Sequence, residues 1–181
     1  RRSSSCSAFF LLSGAFAGRC RGGGCRRRGP CAGLPVLCFG ISHPGGAGRT
    51  PTVLALTRLL GVLGERPFVL TRGYGGRLRG PVMFDLARHA AADVGDEPLM
   101  LARTVPVAVA RDRPSGVALA RSPGASAILM DDGFQNPAVA PDASLIVIDA
   151  NRGIGNACLF PAVPLTAPPA PALARTAAFI V

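Results

Sequence analysis

The sequence predicts an α/β domain whose mostly parallel sheet carries helices on both faces, and three observations predict it. Near-continuous apolar runs of strand length recur along the chain, helical patterns lie between several of them, and a glycine-rich turn joins the first run to the first helix. Runs that are apolar throughout belong to strands buried on both sides. Such strands, separated by helices, are the mark of a parallel sheet with helical crossovers.

The first run is 34–39, and the helical pattern 51–63 follows the turn. Residues 68–70 form the second short strand. The segment Gly95-Asp96-Glu97-Pro98 opens a helical pattern over 99–103, because acids and proline favour a first helical turn. Residues 105–109 read as a buried strand, 114–121 as the next helix, and 127–130, 145–148 and 178–181 as the remaining strands. Prolines at 161, 164, 168, 169 and 171 make the last long connection a loop. No internal repeat is present.

The turn after the first run reads His43-Pro44-Gly45-Gly46-Ala47-Gly48-Arg49-Thr50. Three glycines let successive N–H groups point into one concavity, and the helix behind them adds its positive end. That arrangement suits a polyphosphate and makes the expected fold P-loop NTPase-like. Thr50 stands where a hydroxyl coordinates Mg²⁺, while Arg49 replaces the customary lysine and His43 the leading glycine. The run 127–130 ends in Asp131-Asp132-Gly133, so two carboxylates fall at the carboxyl edge of the sheet, where open α/β sheets bind ligands. Adjacent charges beside apolar residues need a compensating cation or donors, and Mg²⁺ with nucleotide phosphates supplies both.

Taken together, the motifs resemble those of the tetraacyldisaccharide 4′-kinase family. The resemblance rests on Gly45 to Pro51, Thr71-Arg72-Gly73-Tyr74-Gly75-Gly76, Val94 to Leu99, Asp112-Arg113 and Asp131-Asp132-Gly133-Phe134-Gln135. It continues through Asn151-Arg152-Gly153-Ile154-Gly155-Asn156, Leu159-Phe160-Pro161 and Pro164-Leu165, and so covers residues 34–181. It implies phosphorylation of the 4′-hydroxyl of a lipid A precursor disaccharide, with ATP and Mg²⁺, at the cytoplasmic face of the bacterial inner membrane. By that resemblance the ATP-binding residues are His43, Pro44, Gly45, Gly46, Ala47, Gly48, Arg49 and Thr50, and the metal ligands come from Thr50, Glu97, Asp131 and Asp132. Asp96 is the catalytic base for the sugar hydroxyl. Arg72, Tyr74 and Arg113 match positions that line the substrate site.

The same comparison marks departures. The family has lysine at Arg49, asparagine at Ile41, histidine at Asn136 and an Arg-Glu pair at Thr166-Ala167. Its members also carry a second lobe, which contributes a histidine beside the catalytic aspartate, so the expectation here is a P-loop kinase core over 32–181 without that lobe. Two other readings stand beside the kinase: an inactive remnant that keeps nucleotide affinity, and another P-loop ATPase.

Composition narrows the partners. The 20 basic residues are all arginine and outnumber 10 acids, giving a net charge of +10 that suits anionic lipid headgroups or nucleic acid. No aromatic residues interleave with the basic ones, and the lone Tyr74 lies in a glycine loop, so a nucleic-acid partner is not expected. The cysteines form no C-x-x-C pair, and Cys38 reads as buried and reduced. His43 and His89 are too separated for a metal site, and His89 is placed on a solvated helix face.

Residues 1–31 differ in character from the rest. Arg1-Arg2 precede an apolar run over 8–17, and Arg19, Arg21, Arg26, Arg27 and Arg28 follow it. The run is shorter than the ~20 residues a bilayer-spanning helix needs. Ala15-Phe16-Ala17 resembles a signal cleavage site, but the arginines that follow oppose translocation. An interfacial segment docking on an anionic inner-membrane surface is therefore expected, each basic residue adding ~1 kcal/mol, with a disordered Gly/Arg-rich tail as the alternative. Co-sedimentation should be stronger with anionic than with neutral vesicles and should fall with salt. Equal binding to both lipids would defeat the docking.

Overall fold

The computed structural model describes residues 33–41, 48–131, 138–148 and 176–181. Strand β1 (Val36–Ile41) leads to helix α1 (Arg49–Val62), then to β2 (Pro67–Thr71) and the short β3 (Val82–Met83). Helices α2 (Ala91–Val94) and α3 (Asp96–Ala102) precede β4 (Val107–Val109), and helix α4 (Arg113–Arg121) precedes β5 (Ala127–Asp131). Strands β6 (Ala143–Val147) and β7 (Ala178–Ile180) complete one sheet of order β3-β4-β2-β5-β1-β6-β7. Every pairing is parallel except that of β3 with β4. The segment 1–31 lies outside the described residues. Among the described ones no helix is long and apolar enough to cross a membrane.

The alternation of strand side chains sorts the core into two layers. Val36, Cys38, Phe68, Leu70, Ala108, Ile128 and Met130 face Val117 and Ala120 of α4. Their neighbours Leu37, Phe39, Val69, Val107, Val109 and Leu129 face Val53 of α1, Val94 of α2 and Leu101 of α3. Helices therefore cover both faces, as the unbroken apolar strands predicted. Each fully buried Val or Leu contributes about 1.5–3 kcal/mol. Cys38 is buried, as expected.

Three details differ from the sequence reading. The strand expected from 105 begins at Val107, because Thr104 and Val105 still donate to Leu101 O in the turn that closes α3. Two elements lacked a signal: β3 has two residues and α2 one turn. His89 is not on a helix face. It lies in a turn, half-buried, where its Nδ1 accepts from the Asp85 N–H at 3.0 Å and its ring sits 5.6 Å from that of Phe84.

Helix α4 shows how local sequence sets an element that matters below. Asp112 caps it, its carboxylate accepting from the Ser115 N–H at 3.1 Å; Pro114 fits the first turn, and Arg121 ends the last. Gly116 lets the helix close on the sheet, since a Cβ there would lie 2.5 Å from Leu70 and 2.8 Å from Ala110.

Gly95, between α2 and α3, carries φ +96°, and a Cβ would stand 2.2 Å from the Tyr74 carbonyl oxygen. Gly64 has φ +83° with open space around it. Gly95→Ala should therefore lose about 2 kcal/mol or more to strain and overlap together, against about 1 kcal/mol for Gly64→Ala from strain alone. Equal denaturant midpoints for the two variants would contradict the close approach at Gly95.

Candidate functional site

The carboxyl ends of the central parallel strands bring the motif residues together. β1 and β5 are neighbours in space, with Phe39 in register with Asp131, although β2, β3 and β4 intervene in sequence. The start of α1, reached from β1, therefore lies beside the end of β5. Strand alternation decides the direction of Asp131: it follows Leu129 onto the face covered by α1.

Arg49, the first residue of α1, meets Asp131 there. Its Nε lies 2.7 Å from Asp131 Oδ1, and its Nη2 donates to both oxygens of Glu97 at 2.9 and 3.1 Å. Thr50 Oγ1 donates to Glu97 Oε1 at 3.1 Å. Asp131 is 2% exposed, Arg49 13% and Glu97 35%. A carboxylate so deeply placed is tolerable only when paired, and the guanidinium provides that pairing. Gly48, at φ +79°, makes the turn into the helix, and its carbonyl accepts from the N–H and the hydroxyl of Thr52. With an unhindered glycine ahead of it and N–H groups not yet committed to the helix, this end of α1 suits an anion.

A second assembly sets the start of α3. The loop 73–78 lies along 92–95: Arg77 N–H donates to Ala92 O at 3.1 Å and Leu78 N–H to Asp93 O at 2.8 Å. A Cβ at Gly76 would fall 2.5 Å from the Val94 carbonyl carbon, so the glycines permit the contact. The Asp93 carboxylate accepts from the Ala90 N–H at 2.9 Å and from Arg77 Nε at 2.5 Å. The Ala90 bond foremost, and Arg77 after it, hold the Asp93 carboxyl below its ordinary pKa against the opposing pull of desolvation. The stability this adds is present above the ordinary carboxylate range and is lost as pH falls through the lowered value. Asp96 follows directly, exposed at the first position of α3, with Glu97 beside it turned to Arg49. Sequence reasoning missed Arg77 and Asp93; the spacing of Asp93 three residues after Ala90, as in a capping box, was the available signal.

A family model of tetraacyldisaccharide-1-P 4′-kinase matches residues 15–181. The chain belongs to this family. A tetraacyldisaccharide 4′-kinase of Rhodopseudomonas palustris (strain BisB18) is 70% identical over 153 residues, which are 84% of this chain and 45% of that protein. The tetraacyldisaccharide 4′-kinase of Nitrobacter winogradskyi is 60% identical over 181 residues, 100% of this chain and 54% of its own. The chain thus spans about half the length of these relatives. The crystal structure of the "apo" form of LpxK from Aquifex aeolicus in complex with ATP superposes with a TM-score of 0.73 at 25% identity, covering 98% of this chain and 57% of that one.

Among the residues expected at the kinase site, the structure brings Arg49, Thr50, Glu97 and Asp131 into one cluster. Arg72 and Tyr74 are exposed at the carboxyl edge, Tyr74 at 89%. His43, Pro44, Gly45, Gly46, Ala47 and Asp132 lie outside the described residues. Arg113, expected along the substrate site, is 1% exposed: its Nη2 donates to Asp131 O at 2.9 Å and its Nη1 to Leu70 O at 3.3 Å. It underlies the carboxyl edge and ties β2 to β5 from the face opposite Arg49.

Among the described residues no three His, Cys, Asp or Glu side chains form a cage for a metal. The oxygen donors of Thr50, Glu97 and Asp131 nevertheless fit magnesium, a hard cation commonly held by one or two carboxylates together with substrate phosphates. Arg113→Met should leave two strand-end carbonyls without these bonds and cost about 1–3 kcal/mol in chemical denaturation. A loss below a few tenths of a kcal/mol would show that the guanidinium does not hold the edge.

Proposed function

We propose that the chain binds MgATP at the carboxyl edge and serves transfer of the γ-phosphoryl group to the 4′-hydroxyl of a lipid A precursor disaccharide, at the cytoplasmic face of the inner membrane. The observation that carries this reading is the convergence of Arg49, Thr50, Glu97 and Asp131 where β1 and β5 end, in a chain of the tetraacyldisaccharide 4′-kinase family.

Phosphoryl transfer asks a protein for positioning and charge neutralisation rather than covalent chemistry. The loop from His43 to Thr50 supplies N–H donors and the helix end to the phosphates. Thr50, Glu97, Asp131 and Asp132 hold Mg²⁺, which neutralises charge on the transferring phosphate. Asp96, exposed beside Glu97, accepts the proton of the attacking sugar hydroxyl. Arg72 and Tyr74, exposed on the loop packed against 92–95, face the sugar and its phosphate, and a guanidinium fork suits such an anion.

A second reading is a nucleotide-binding chain without transferase activity. The bridge from Arg49 to two carboxylates favours it, because a guanidinium is not a substitute for a compact ammonium within a glycine loop.

Calorimetry on the full chain should show weak, magnesium-dependent ATP binding that vanishes when Asp131→Ala and Asp132→Ala are combined. Labelled phosphate should pass from ATP to the disaccharide and fall ~10²–10⁴-fold with Asp96→Ala, the usual worth of a general base. Nucleotide binding with Asp96-independent, background turnover marks the second reading. Affinity unchanged by the Asp131 and Asp132 pair would refute the metal assignment.

A further inference from the structure

Among the described residues, the cation set between the carboxylates at the carboxyl edge is Arg49, one of the protein's own side chains. Arg49 reaches both oxygens of Glu97 through Nη2 and Asp131 through Nε, while Thr50 spends its hydroxyl proton on Glu97. Taking Thr50, Glu97 and Asp131 as the magnesium ligands, as the proposed function does, the guanidinium occupies the same oxygens that a divalent ion needs. A lysine could not do this in the same way. Its ammonium is a single point charge, whereas the planar fork offers separate nitrogens to separate carboxylates.

We propose that Arg49 is the resident counter-ion of these carboxylates: it keeps free divalent cations off Glu97 and Asp131, and yields those oxygens when a polyphosphate takes up its guanidinium. The exchange balances in charge. Withdrawing Arg49 takes a charge partner at 2.7 Å from Asp131, which is 2% exposed, so the withdrawal costs least when another cation arrives with it. Phosphate oxygens can both receive an arginine fork and accompany a divalent ion into the pocket. Metal and nucleotide then bind with positive coupling, and reciprocity requires each to raise the affinity of the other.

The test uses the full chain and Mn²⁺ alone, followed by electron paramagnetic resonance and by thermal unfolding. Without nucleotide, Arg49→Gln should bind Mn²⁺ on the order of tenfold or more tighter than the native chain, within the usual range of coupling between sites. Its unfolding midpoint should rise with Mn²⁺ while the native midpoint stays put, since only a ligand bound to the folded state stabilises it. The gain should vanish when Glu97→Gln and Asp131→Asn are added. Should Arg49→Gln fail to fold, Arg49→Lys offers the same comparison at smaller amplitude, because an ammonium contacts fewer of the oxygens.

Equal Mn²⁺ affinity in the native chain and the Arg49 variant overturns the proposal, as does a gain that survives loss of both carboxylates. A second arm titrates a fluorescent ATP analogue with and without Mn²⁺, and mutual enhancement in the native chain is expected. Absence of nucleotide binding sinks the kinase reading and the release step, while the nucleotide-free comparison still decides whether Arg49 guards the carboxylates.

Discussion

One guanidinium ties together the side chains gathered at the carboxyl edge of the sheet. Arg49 stands at the first turn of α1, Glu97 at the first turn of α3 and Asp131 at the end of β5, and the three meet through contacts of 2.7 to 3.1 Å. Asp131 faces the side of the sheet covered by α1, where an ionised carboxylate without a partner would be costly. The pairing makes that carboxylate sustainable, and the same pairing fixes where two helices begin relative to the central strand pair.

The opposite face of the sheet contributes by different means. Arg113 is buried and spends its donors on backbone carbonyls of Leu70 and Asp131. Two arginines therefore approach one aspartate, Arg49 at its side chain and Arg113 at its carbonyl. On the proposed exchange, the first contact gives way to a ligand. The second belongs to the framework. A third arginine, Arg77, works further out, joining the loop 73–78 to residues 92 and 93 just ahead of Asp96. Because the chain has no lysine, these three tasks fall to a single residue type that differs between them in burial and partner.

Much of the fold was legible because apolar runs such as 127–130 are buried on both sides and leave no alternation to mistake for an amphipathic strand. Strand β3 was illegible because two residues at an edge carry no period, and α2 because one turn carries no face. At the candidate site, Arg49, Thr50, Glu97 and Asp131 could be named from motif spacing. The bridge between them could not, since Arg49 and Glu97 are 48 positions apart and only the strand order brings their elements together. The burial of Arg113 was illegible for a plainer reason. Arginine is rarely fully buried, and nothing in Asp112-Arg113-Pro114 beyond a helix cap announces that its side chain will run under the sheet.

The parity of β5 sets a limit on how this chain can change. Leu129 and Asp131 share one face, Ile128 and Met130 the other. Removing or adding a single residue within the strand would turn the carboxylate toward the layer covered by α4, away from Arg49, and would exchange the faces of every side chain beyond the event. Length variation is therefore cheap in the exposed turn 122–124 and forbidden a few residues later. Insertions and deletions among descendants of this sequence should respect that boundary even where substitutions do not.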